Sequence, residues 1–127
     1  INIIKKRILD SELNSILEIV NEAKRNIYSK NFRVKEWGVL LNEHWKLKKS
    51  LSDSVTNSKI DNIYNEALSL GAYGGKLMGA GNGGFLLFLC PEKNQNNIKK
   101  KFGNYIINNL KFDNSGSHMI YNLPETN

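Results

Sequence analysis

Seven of the chain's ten glycines fall between Gly71 and Gly84, and the apolar run Phe85–Cys90 comes directly after them. Glycine costs backbone entropy wherever it is not needed, so this density asks for positive φ angles or a close approach. A tight hairpin turn needs one or two glycines. The segment Gly74-Gly75-Lys76-Leu77-Met78-Gly79-Ala80-Gly81-Asn82-Gly83-Gly84-Phe85 holds more than a hairpin explains. A concave loop whose bare N–H groups receive an anion, or a neighbouring phosphate-binding loop, accounts for the excess.

The strand pattern after the loop excludes two common nucleotide motifs. A Walker A loop ends in Gly-Lys-Ser/Thr at a helix start. Gly79-x-Gly81-x-x-Gly84 fits G-x-G-x-x-G in spacing, but that fingerprint runs strand, turn, helix. Here Phe85-Leu86-Leu87-Phe88-Leu89, bounded by glycines and Pro91, reads as a buried strand. Lys76-Leu77-Met78 is its short hairpin partner.

Upstream the pattern is helical. Leu9, Leu13, Ile16, Val20, Ala23 and Ile27 recur at spacings of three and four, with Asn31 as the end of a first helix. Arg33–Leu51 carries Trp37, Leu41, His44 or Trp45, Lys48 and Leu51 on one side. Ser58 with Asp61 reads as a capping pair opening a third helix, with Ile60, Ile63, Tyr64, Ala67 and Leu68 as its stripe. Gly71 is its stop. Beyond Pro91, the residues Ile98, Phe102, Tyr105, Ile106 and Leu110 mark a fourth helix. Leu110-Lys111-Phe112 and His118-Met119-Ile120-Tyr121 are strand candidates in the tail. The sum is one α+β domain, with helices packed on one face of a small antiparallel sheet.

The chain has 127 residues and a hydrophobic fraction of 40%, enough for one core. No apolar run approaches the roughly 20 residues of a membrane helix. The chain opens at Ile1 rather than Met, which reads as a piece of a larger protein without a signal peptide. The lone cysteine, Cys90, reads as a small buried hydrophobe and suits a reducing cytoplasm. His44 and His118 are far apart with no ligand cluster around them, which argues against a metal site. The net charge of +6 is compatible with phosphorylated ligands or nucleic acid, but no recognition helix or aromatic RNA-binding signature accompanies it.

Gly71-Ala72, Gly75-Lys76-Leu77, Gly79-Ala80-Gly81 and Gly83-Gly84 together resemble the C-terminal signature of the GHMP kinases. Leu40–Leu51, followed by Ile60-Asp61-x-x-Tyr64, is similar to the branch that phosphorylates heptose 7-phosphate on the way to surface polysaccharides. The resemblance covers nearly the whole chain, most clearly residues 33–90. It implies a ferredoxin-like C-terminal domain at residues 1–127, working against its own N-terminal kinase domain. That half would hold most of the contacts to ATP and Mg²⁺, together with the catalytic residues, so no catalytic residue is expected in this chain. The face turned to that half would be open to pairing with another copy.

The resemblance also implies roles. Gly79, Ala80, Gly81, Asn82, Gly83 and Gly84 would wall the active site beside the transferring phosphoryl group and the acceptor sugar. Asn82 interrupts the family's usual glycine run; asparagine tolerates the left-handed region, so the loop is expected to keep its shape. Lys76 is either a solvent-facing strand lysine or one turned into the cleft or bonded to nearby carbonyls. Lys48 is either snorkelling or matched to a phosphate already on the substrate. Trp45 is either core or a stacking platform for a sugar. Asn42 and His44 are candidate cleft residues, with His44 reading first as a satisfied interface histidine. The parent would transfer the γ-phosphoryl group of ATP to a sugar hydroxyl, and the isolated domain would be inactive. The rival readings are a non-catalytic ligand-binding or interaction module on the same fold and, less in keeping with the residues, a nucleic-acid binder.

Overall fold

The computed structural model describes residues 3–29, 33–79, 81–111 and 113–116. In chain order it contains α1 (Ile3–Tyr28), α2 (Val34–Leu51), a 3₁₀ turn (Asp53–Val55), α3 (Ser58–Ser69), β1 (Gly74–Met78), β2 (Phe85–Leu89) and α4 (Glu92–Lys101). The expected α+β class is what forms: four helices with a two-stranded antiparallel sheet among the described residues. Asn31, Phe112 and the strand expected at residues 118–121 lie outside those residues.

The register pairs Gly75 with Phe88 and Leu77 with Leu86 on one sheet face, and Gly74 with Leu89, Lys76 with Leu87 and Met78 with Phe85 on the other. The first face meets the core. Trp45 of α2, Ile60 and Tyr64 of α3 and Leu77 of β1 are buried together, with Leu86 and Phe88 packed against them. A second cluster joins α3 to α4 through Ala67, Ala72 and Phe102. β2 is half-buried rather than fully buried, and Phe85 is 67% exposed. α2 lies along β1 far more than along β2, which leaves the apolar run of β2 partly uncovered.

Tyr64 ties the helices to the sheet by polar contacts. Its hydroxyl oxygen accepts from the Gly75 N–H at 3.2 Å, lies 3.0 Å from the Gly75 carbonyl and 2.9 Å from the Asn42 side-chain oxygen. One hydroxyl proton cannot serve two acceptors. With the Asn42 amide turned over, its NH₂ donates to the hydroxyl, the hydroxyl donates to Gly75, and every group is satisfied.

Helix ends obey local chemistry. α3 is capped by Asn57, not by the expected Ser58–Asp61 pair: the Asn57 side-chain oxygen accepts from the Ile60 N–H at 3.0 Å. Asp61 instead accepts from Lys49 at 3.0 Å and Thr56 at 3.2 Å, joining the end of α2 to the start of α3. Gly71 does stop α3. It sits at φ +95°, with Gly71 N–H bonded to Leu68 O and Ala72 N–H to Ala67 O, a Schellman closure.

Two apolar stripes differ from expectation. In α1, Leu13, Val20 and Ile27 are exposed, while Ile16, Ile19 and Ala23 are half-buried. The helix is rolled from the expected face. α4 ends at Lys101, before Gly103, so Tyr105, Ile106 and Leu110 fall beyond it and are exposed.

Candidate functional site

The hairpin loop between β1 and β2 is held open by its backbone angles. Gly79 (φ 123°), Gly81 (φ 105°) and Gly84 (φ 122°) take positive φ, and Asn82 does so at φ 56°. Asn82 thus occupies the left-handed region expected of it.

Its side chain has a second use. The Asn57 amide donates to the Asn82 side-chain oxygen at 2.7 Å and reaches its main-chain oxygen at 3.3 Å. The Asn82 N–H donates to Val55 O at 3.1 Å. A Cβ on Gly81 would lie 3.3 Å from Ser54 O and the Val55 Cα. The loop therefore rests against the 3₁₀ turn and the residue that caps α3. The Asn82 N–H is consumed by this anchorage and is not a donor to a ligand. Gly79, Gly83 and Gly84 are exposed and Gly81 half-exposed; Ala80 lies outside the described residues.

α2 lies along β1, and two glycines set the spacing. A Cβ on Gly38 would collide with Tyr73, and one on Gly74 would collide with the Gly38 carbonyl. The other candidate residues take their places from this contact. Asn42 is half-buried and belongs to the Tyr64 network. Trp45 has 0% exposure and packs on Tyr64 at 6.1 Å between ring centroids. It is core, with no ring face open to a sugar, and its indole N–H has no hydrogen-bond partner among the described residues.

Lys48 and Lys76 are half-buried. Neither makes an ion pair among the described residues, whereas the neighbouring Lys49 is bound to Asp61. His44 is half-buried too, but it is not the satisfied histidine expected: its Nδ1 is buried and without a partner among the described residues. Burial, then the charge of Lys76, then that of Lys48 hold its imidazole below the ordinary histidine range. The helical spacing that sets Lys48 one turn from His44 is readable in the sequence; that Lys76 joins them depends on how α2 sits against β1.

No group of three or more His, Cys, Asp or Glu side chains able to hold a metal occurs among the described residues. Cys90 is half-buried, and burial pushes its thiol up, away from the reactive thiolate. Among the described residues no helix is long and apolar enough to cross a membrane.

Residues 26–108 match the family model described as GHMP kinases C terminal. Over 61 residues the chain is 44% identical to the D-glycero-alpha-D-manno-heptose 7-phosphate kinase of Campylobacter jejuni subsp. jejuni serotype O:2, a match covering 47% of this chain and 18% of that protein. Over 89 residues it is 38% identical to the mevalonate kinase of Thermococcus sibiricus, covering 68% of this chain and 26% of that kinase. In both cases the chain spans well under half of the relative's length.

Proposed function

The chain belongs to the GHMP kinases, as their C-terminal domain, and from that premise we propose that its parent protein transfers the γ-phosphoryl group of ATP to a hydroxyl of a sugar phosphate, a heptose phosphate being the favoured acceptor. The observation that carries this reading is the anchored glycine loop, with four described residues at positive φ, in a chain 44% identical over 61 residues to a heptose 7-phosphate kinase.

Phosphoryl transfer asks a protein for positioning and charge stabilisation more than for covalent chemistry. The backbone at Gly79, Gly81, Gly83 and Gly84 has no side chains to keep a phosphoryl group at a distance. Its fixed angles mean that little ordering remains to be done when substrate arrives. This domain would supply one wall of the site. Mg²⁺ and most contacts to ATP are assigned to the other half of the enzyme. A cytoplasmic setting goes with ATP as donor.

The test is coupled measurement of ATP consumption by the full parent protein, offered a heptose 7-phosphate, mevalonate or no acceptor. Turnover with the heptose phosphate alone is expected, and none from residues 1–127 by themselves. Preference for mevalonate would move the assignment to another branch of the family. Robust turnover by the 127-residue chain would overturn the division of labour.

A further inference from the structure

Alternate residues of a strand face the same way, so Lys76 shares a side with Gly74. Gly74 abuts the carbonyl of Gly38 and lies beside the Cβ of Asn42. Further along both elements, Leu77 and Trp45 share one buried cluster, so α2 and β1 run in the same direction. Two strand residues cover about 6.6 Å, which a helix covers in about four residues. Lys76 therefore comes level with His44. Lys48 stands one turn further along α2 on the same stripe, four residues on.

The two lysines are half-buried and bring two positive charges to one place without an ion pair among the described residues. Left alone, they repel each other and His44. The histidine's nitrogens are not equivalent. Nδ1 is buried without an acceptor among the described residues, so a proton there would be stranded. The neutral ring then carries its proton on Nε2, the outward nitrogen, where it is a donor. Two ammonium groups and one N–H donor converge with no acceptor of their own among the described residues.

We propose that Lys48, Lys76 and His44 form a phosphate-monoester subsite beside the glycine loop, and that it takes the phosphate already carried by the acceptor sugar. The assignment to the acceptor rests on the sugar-phosphate kinase reading; the anion site itself rests on the geometry. A phosphate dianion offers acceptors to all three groups and offsets their repulsion. Lys49, adjacent in sequence, is excluded because Asp61 already neutralises it.

The test is NMR on the isotope-labelled 127-residue chain at constant ionic strength, titrated with inorganic phosphate, a heptose 7-phosphate, the unphosphorylated heptose and ATP. Saturating phosphate is expected to raise the His44 pKa by roughly one unit, because a bound dianion reverses the field of the lysines. Lys48→Met and Lys76→Met should each weaken phosphate binding about tenfold, while the exposed-site control Lys46→Met should not. The heptose phosphate should mimic phosphate, and the bare heptose should have no effect. An unmoved His44 titration at saturating phosphate overturns the subsite, as does an equal loss in the Lys46→Met control. A response to ATP alone overturns the assignment to the acceptor. The kinase reading fails separately, by absence of heptose-phosphate turnover in the parent protein, and phosphate binding here survives that failure.

Discussion

Gly38 of α2 and Gly74 of β1 touch backbone to backbone, the Gly38 carbonyl occupying the place a Gly74 side chain would need. Neither has a positive φ, so the requirement for glycine is one of space. Gly74→Ala should therefore force helix and strand apart. The obstacle is backbone rather than a movable side-chain end, so a loss of about 1–3 kcal/mol is expected, as for overpacked cores. Urea unfolding against the parent chain measures it; an unchanged midpoint would mean that α2 docks less tightly than this contact requires.

The Asn57–Asn82 tie separates helix stability from loop order. Asn57→Ala removes a helix cap worth about 1 kcal/mol and both contacts to the loop. Asn82→Gly keeps the left-handed backbone and removes the side-chain bond alone. It should leave the unfolding midpoint nearly unchanged while speeding amide hydrogen exchange at Gly83 and Gly84. Asn82→Val puts a β-branched residue at φ 56° and should cost roughly 1–3 kcal/mol in strain. Equal exchange rates in the parent and the glycine variant would show that the side chain does not hold the loop.

Tyr64→Phe keeps the ring in the core and deletes the hydroxyl that meets Gly75 and Asn42. A buried N–H then loses its acceptor, at a cost of about 1–3 kcal/mol. Burial also raises the Tyr64 phenol above its ordinary value. The unfolded chain thus releases this proton first, and the parent should lose stability as pH rises past about 10. The phenylalanine variant should lack that component, which parallel denaturation curves at neutral and alkaline pH would reveal.

His44 gives the acid counterpart. Its folded pKa lies below the unfolded value through burial, Lys76 and Lys48. The unfolded chain therefore binds the proton more readily, and stability falls as pH drops below about 6.5 until the folded ring protonates. The charged neighbours that act on it are the two lysines, and no carboxylate among the described residues offsets them. His44→Gln should flatten the stability slope between neutral pH and the folded titration point. Denaturation midpoints measured at intervals across that range would show an unaltered slope if another group were responsible.

Legibility in the sequence divides by the range of the cause. Gly71 as a helix stop and Asn82 in the left-handed region are readable because each depends on one residue's own backbone preferences. The cap of α3 is displaced by one residue. Asn57 and Ser58 are both good caps, and Asp61 stands at capping distance from the wrong one; its bonds to Lys49 and Thr56 explain its presence. In α1 two apolar stripes overlap, Leu13–Leu17–Val20 and Ile16–Ile19–Ala23, and periodicity cannot choose which one turns to α2. Trp45 has a core reading and a binding reading until its exposure decides between them. His44 and Lys48 are legible as neighbours one helical turn apart, but that Lys76 joins them is not, because it depends on the level at which α2 crosses β1, and that level is set by a contact between two glycines.

Asn57 serves two structures with the two ends of one amide: its oxygen caps α3 and its nitrogen holds the glycine loop. Hydrolysis of that amide would not treat them alike. The aspartate formed would still cap the helix, since the two residues are near equals there. On the loop side, however, an aspartate has no N–H to give, so the donor that met both oxygens of Asn82 would be gone. An aspartate at this single position would therefore loosen the loop while the helix beneath it kept its cap.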